Sequence, residues 1–381
     1  MRRLLMFLAR NQLLRRLINP RYNKVGKVEK GTIAIVPCVY FGLGDMVMYG
    51  CSILQLKERY TVLFIVPEMF YVKFSTFFKD HSLIEEKDIL VLPFKRRKWP
   101  AFLRQMRARN IQAVIHDDLP TVREVFSYLA GVPIIVSTSG SSPFANREYS
   151  INPPTHYIGR ANLIFGFLGV EKMEHRIAPF LRYQRIDMPE LAGFDGVTLV
   201  VHSGGAAYWN RKWPQDNYYE TLRRFLQHYH GRILLIGGKE EFDGNETLRS
   251  RLLCDGYRSD RVLNFCGVPL NTSFNVMARA DVFLGNDSGP LHCAVALNCR
   301  VISIFGPSNI PVVNPTQYDP RNFTIHTDLE CVPCISTSCR LEEGKKFMCL
   351  TTLAVEPVWR ALQTTLKDHL RRELIDVAKN V

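Results

Sequence analysis

At 381 residues the chain exceeds the roughly 100–200 of a typical domain, and a hydrophobic fraction of 46% beside 22% charged residues excludes wholesale disorder and a polytopic membrane protein. Lys and Arg number 49 against 36 Asp and Glu, and the resulting +13 favours anionic partners such as nucleic acid, phosphorylated ligands or acidic lipid. Ten cysteines are too sparse for a disulfide scaffold, and Cys38, Cys51, Cys254, Cys266, Cys293 and Cys299 sit in apolar or mixed contexts that read as buried thiols of a reducing compartment.

Residues 1–30 alternate Leu4, Leu5, Phe7, Leu8, Leu13, Leu14 and Leu17 with Arg2, Arg3, Arg10, Arg15 and Arg16 at helical spacing. A basic amphipathic extension of this kind suits an anionic membrane surface, and equally a protein surface. It lacks the long apolar run and small-residue cleavage site of a secretory signal, and no later apolar stretch approaches the ~20 residues of a membrane-spanning helix.

Short β-branched runs then alternate with helix-period segments. Strands are predicted at Thr32–Pro37, Thr61–Val66, Ile89–Leu92, Ala113–Ile115 and Ile134–Val136, with helices at Met46–Arg59, Phe70–Lys79, Ala101–Arg109 and Val122–Ala130 between them. The rhythm restarts with strands at Val197–Val201, Arg232–Ile236, Val262–Phe265, Val282–Leu284 and Val301–Phe305. Uninterrupted apolar strands imply parallel sheets covered on both faces, so the expectation is α/β with two doubly wound domains. The predicted division is an extension at 1–30, a first domain at 31–180, a linker at 181–196, a second domain at 197–355 and a C-terminal helix at 356–381.

Ligands of open parallel sheets bind beyond the carboxyl ends of strands, so the loops there carry the chemistry. Gly42-Leu43-Gly44-Asp45 follows the first strand; a carboxylate at that helix N-terminus either serves as a general base or caps the helix. His202-Ser203-Gly204-Gly205 offers backbone amides, and Arg211 and Lys212 offer fixed cations for a diphosphate. Gly237-Gly238-Lys239-Glu240-Glu241 brings acidic groups suited to ribose hydroxyls, or to the dipole of a first helical turn. In Asn286-Asp287-Ser288-Gly289-Pro290-Leu291-His292, Ser288 suits an N-cap, Pro290 suits the first turn, and the free amides suit an anion.

Taken with Trp213-Pro214 and Phe305-Gly306-Pro307, these motifs resemble glycosyltransferase family 9, the heptosyltransferases of bacterial lipopolysaccharide, over about residues 31–365. The resemblance implies a GT-B fold of two Rossmann-like domains, with the C-terminal helix crossing back to the first domain. It implies an inverting, metal-independent transfer of heptose from ADP-heptose to a lipid-linked oligosaccharide of the lipopolysaccharide core, with no cofactor required for catalysis. Asp45 matches the family's catalytic base. Gly44, Ser203, Gly204, Gly205, Arg211, Lys212, Glu241, Asp287, Ser288, Gly289 and His292 match its donor-binding positions, with Glu241 at the ribose. The implied location is cytoplasmic, peripheral on the inner face of the inner membrane.

Two departures stand out. Arg211 occupies a position where the family commonly carries Lys, and Ala206–Asn210 lacks the hydroxyl residues that some members place there. Cys331, Cys334, Cys339 and Cys349 cluster within a short span; this invites structural Zn or Fe, as the cysteine cluster of some family members holds iron, and it equally fits a reduced cysteine-rich loop. The alternative functions are a family member that uses another nucleotide-sugar or glycosylates a protein or another surface polysaccharide, and, from a different class, a nonenzymatic nucleotide-binding protein. Nucleic acid is not an expected partner, because the basic residues lack aromatic interleaving and any known nucleic-acid motif.

Overall fold

The structure, a computed structural model, describes residues 19–20, 27–37, 42–82, 84–117, 123–138, 143–148, 156, 159–169, 181–205, 211–334 and 338–379, with backbone alone at 147–148 and 368–379. Most of the amphipathic extension expected at 1–30 lies outside the described residues. The chain divides into two compact units, Met1–Arg182 and Tyr183–Val381.

In the first unit, β1 (Thr32–Val36), β2 (Thr61–Pro67), β3 (Ile89–Leu92), β4 (Ile111–His116), β5 (Ile134–Ser137) and β6 (Arg147–Glu148) form one sheet in the order β3-β2-β1-β4-β5-β6. All its pairings are parallel, with Ala34 opposite Leu63 on one side and Val114 on the other. The apolar runs are continuous because helices cover both faces. Ala34, Val36, Leu63, Ile65 and Val114 pack against Phe102 and Met106 of the helix Trp99–Ala108 and Phe126 of the helix Arg123–Leu129. Each such aliphatic or aromatic side chain stabilises the unit by about 1.5–3 kcal/mol. The expected helix at Phe70–Lys79 begins earlier, at Glu68, and after Thr76 its last turn widens to a π-type turn over Phe77–His81.

The second unit repeats the design. β7 (Val197–His202), β8 (Gly231–Gly237), β9 (Val262–Cys266), β10 (Val282–Asn286), β11 (Arg300–Ile304) and β12 (Phe323–Ile325) are ordered β12-β11-β10-β7-β8-β9, again all parallel. Strands β6 and β12 were not foreseen; both are short and lie at sheet edges. The divide at Arg182 falls inside the segment read as a linker. Leu181 bridges to Ser82, whereas the amide of Gln184 donates to Asn271 Oδ1 and that of Ile186 to Asn275 Oδ1, and Met188 and Leu191 are buried. The long C-terminal helix Val355–Lys379 belongs to the second unit through Val358, Trp359, Leu362 and Leu366, which join the core beside β11 and the helix Gln215–His228.

In each sheet the strand order reverses at the centre, between β1 and β4 in the first unit and between β7 and β10 in the second. A switch point of this kind opens a crevice beyond the strand ends of its own sheet, bordered by the loops after the two central strands. Among the described residues no helix is long and apolar enough to cross a membrane.

Candidate active site

In the second unit the loop after β7 and the turn after β8 meet at one carboxylate. Glu241 Oε1 accepts from the Gly205 amide at 3.0 Å, and Oε2 accepts from the Gly238 amide at 2.9 Å and stands 3.2 Å from His202 Nε2. The group fits only because residue 204 is glycine: a Cβ there would lie 1.4 Å from Glu241 Oε1. Burial pushes the Glu241 carboxyl up, but His202 and the two amides outweigh it and hold it down at about 2. Glu241 is therefore ionised at neutral pH. Glu240 does not share this position, since its carboxylate lies against Gly238.

His202 extends the line, because Ser288 Oγ lies 3.1 Å from its Nδ1 and donates to the Asn286 carbonyl at 3.0 Å. Ser288 stands at the N-cap of the helix Gly289–Ala296 as expected, but its side chain makes no capping bond; it turns to His202 instead. Asn286 ties the surrounding loops together. Its Nδ2 donates to the carbonyls of Ser203 (3.0 Å) and Gly204 (2.7 Å), while its Oδ1 accepts from the Trp213 amide (3.1 Å) and the Tyr218 hydroxyl (2.9 Å). The Ser203 hydroxyl donates to Asn245 Oδ1 at 2.7 Å and so points away from the loop amides.

Arg211 and Asp287 form an ion-paired wall. Arg211 Nη1 donates to Asp287 Oδ2 at 2.7 Å, the Ser308 hydroxyl donates to the same oxygen, and His292 Nε2 stands 3.5 Å from Oδ1. Burial raises the Asp287 carboxyl, yet His292, Arg211 and Ser308 together draw it below the usual carboxylate range. Arg211 lies next to the Gly205 turn, where a Cβ would approach the Arg211 carbonyl carbon to 3.3 Å. Lys212 is exposed beside it, and the departure at Ala206–Asn210 lies outside the described residues. Gly204, Gly205, Arg211, Glu241, Asp287, Ser288, Gly289 and His292 are thus gathered at the carboxyl ends of β7, β8 and β10. His202 and Asn286 stand in motifs that the sequence reading singled out without giving their side chains a part, and Asn245 and Ser308 were not singled out at all.

In the first unit Asp45 occupies the third position of the helix Leu43–Lys57, behind Gly44, and its Oδ2 accepts from the Gly42 amide at 2.8 Å. The capping role is realised, at the carboxyl end of β1. Nearby strand ends carry polar groups that the sequence reading passed over. Buried Asp117, just after β4, pairs with Arg160 at 2.7 Å and accepts from the Thr138 hydroxyl at 3.1 Å. His116 lies 2.9 Å from Ser127 Oγ, and burial, with the Arg123 charge, lowers its pKa to about 3, so it is neutral. Their signal was position alone, at the end of a predicted strand.

The cysteine-rich loop is different. Among the described residues no three His, Cys, Asp or Glu side chains are gathered closely enough to hold one metal ion. Cys331 is exposed and Cys334, Cys339 and Cys349 are half-buried. Cys339 Sγ accepts from the Phe347 amide at 3.3 Å, and the Cys334 amide donates to Pro307 at 2.8 Å. Burial first, and the charges of Cys331, Cys339 and Cys334 after it, raise the Cys349 thiol to about 11. Of the thiols read as buried, Cys51, Cys266 and Cys293 are so, and Cys299 is half-buried. Cys254 is exposed, because it ends a helix on the surface rather than facing the sheet, and Cys38 lies outside the described residues.

Two parallel α/β units with polar groups collected at their strand ends are the architecture of the GT-B fold. More particularly, the chain belongs to glycosyltransferase family 9 (heptosyltransferase), whose pattern it matches over residues 131–345, more than half its length. A lipooligosaccharide heptosyltransferase 2 of Campylobacter jejuni is 26% identical over 178 residues, covering 46% of this chain and 54% of that protein. The chain spans about half the length of this relative and of a second Campylobacter jejuni one. In fold it is similar to a family 9 glycosyltransferase of Veillonella parvula (TM-score 0.62, 16% identity, 90% of this chain and 99% of that one). It is also similar to the Escherichia coli heptosyltransferase WaaC with ADP (TM-score 0.59, 18% identity, 88% and 99%).

Proposed function

We propose that the chain transfers heptose from ADP-heptose to a lipid-linked lipopolysaccharide-core acceptor at the inner face of the inner membrane, inverting the anomeric centre without a catalytic metal. The observation that carries this reading is the ionised Glu241 carboxylate, fixed by two amides beside the Arg211–Asp287 wall. A carboxylate takes hydrogen bonds from a ribose diol, and a guanidinium takes a diphosphate. Relatives named as heptosyltransferases, and the neighbour solved with ADP, support the choice of donor.

In this reading Asp45 takes the proton from the acceptor hydroxyl as that oxygen attacks the anomeric carbon, and the bond to ADP breaks on the opposite face. The charge that develops on ADP is met by Arg211, with Lys212 beside it, and by the amides that open the helix at Gly289. Calorimetric titration of ADP, UDP and GDP without added divalent ion tests the donor. ADP is expected to bind best and to weaken in Arg211→Ala, and a preference for UDP or GDP overturns the donor assignment. Asp45→Asn keeps an oxygen for the Gly42 amide and so keeps the cap; it should retain ADP binding while transfer collapses. Transfer at the wild-type rate removes Asp45 as the base.

A further inference from the structure

Beyond the ends of β2 and β3 in the first unit, one carboxylate staples two surface segments together. Glu68, first in its helix, accepts from the Phe94 amide at 2.9 Å and from Lys98 Nζ at 3.1 Å. The staple fixes Met69 and Phe94 on the rim of a shared open hollow of about 610 Å³, floored by Leu92, Trp99 and Phe126. Phe94 is 77% exposed, Met69 74% and Val72, one helical turn on, 69%. They are the most exposed of the large apolar side chains among the described residues. Solvent-exposed Lys95 and Arg96 line the same hollow, Lys73, Arg97 and Lys98 are exposed in the same two segments, and the Arg96 guanidinium lies 5.8 Å from the Trp99 ring centroid. Apolar tips at this exposure gain nothing in water, and grouped exposed tips of this kind mark a surface built to be covered.

We infer that this face is a membrane-docking surface for a bilayer rich in anionic phospholipid. Phe94, Met69 and Val72 enter the boundary between headgroups and acyl chains, and the surrounding cations meet the phosphates. Charge complementarity selects this occupant, since four cations beyond the Lys98–Glu68 pair beside an apolar centre match a surface that is negative over apolar. The inference deepens the proposed function by giving a bilayer-anchored acceptor a site of approach, and so rests on that reading. It remains separable, because vesicle binding needs neither donor nor acceptor.

The test is co-sedimentation of the full chain with vesicles of equal parts phosphatidylglycerol and phosphatidylcholine, and with phosphatidylcholine alone. The variants are Arg96→Ala/Arg97→Ala and Met69→Ser/Phe94→Ser, both at exposed positions, with thermal unfolding as a check on folding. Wild type should prefer the anionic vesicles. Removing two cations should lower partitioning roughly thirtyfold, and removing the two apolar tips should lower it by about tenfold or more. The inference fails if both folded variants bind like wild type, in which case the basic extension at 1–30 carries any binding, or if wild type does not distinguish the two vesicles. It fails too if vesicle binding persists and only the KM for a soluble acceptor rises, because the hollow then receives the acceptor instead.

Discussion

Replacing Gly204 by Ala places a methyl where Glu241 now sits. The new Cβ would lie 1.4 Å from Oε1, 2.1 Å from Cδ and 2.7 Å from Oε2, separations no side chain tolerates. What gives way is the end of a flexible side chain, and Gly204 is not among the glycines with positive φ, so the backbone accepts alanine without strain. The carboxylate leaves the Gly205 and Gly238 amides and His202 and regains water, so the fold survives with a loss of about 1.5–3 kcal/mol, the range for disrupted hydrogen bonds to a charged group. A ribose that depends on Glu241 loses a charge-assisted bond worth about 1.5–3 kcal/mol, or roughly tenfold to a hundredfold in ADP affinity. Calorimetric titration of ADP, paired with thermal unfolding of the same preparation, measures both quantities. A folded Gly204→Ala protein that binds ADP as tightly as wild type would refute the assignment of Glu241 to the nucleotide.

The same carboxylate sets an acid limit on stability. Its folded value of about 2 lies below its ordinary 4.5, so the folded state binds fewer protons. Its stabilisation is complete above the ordinary value and is lost as pH falls through the window toward the folded value, so urea midpoints should drop there, and Glu241→Gln should flatten that fall. Among the thiols, exposed Cys254 and Cys331 should be alkylated first under native conditions. Cys51, which burial raises to about 12, and Cys293, also raised by burial, should react only on unfolding; peptide mapping by mass reads the order.

The fold was legible because parallel strands buried on both faces leave unbroken apolar runs, as in Val197–His202 and Ile111–His116. Strands β6 and β12 escaped because an edge strand of two or three residues, half-buried like Phe323–Ile325, writes no periodicity. The polar loops after β7, β8 and β10 were legible too, since glycines and charges directly after a strand are local signals. The partners of those groups were not. Ser308 reaches Asp287 from 21 positions away, and Arg160 reaches Asp117 from 43, distances across which sequence spacing carries no information about contact. Ser288 reads locally as a cap, and only the packing of His202 beside it turns its hydroxyl elsewhere.

Trp213, at the start of the helix that follows the Gly205 turn, donates its indole N–H to the Leu353 carbonyl at 2.8 Å, and Asn217 reaches the same oxygen at 3.2 Å. The floor beneath the Gly205 turn is therefore completed at Leu353, after every strand of the second unit. During synthesis, the first unit has all its strands once Glu148 has emerged. The second must wait for Leu353, with β7 to β12 already made and the Trp213 indole N–H still without that acceptor. A ribosome stalled shortly before Leu353 would hold a finished first half and a second half whose Gly205 turn still lacks this support, the order expected when domains fold one after another from the N-terminus.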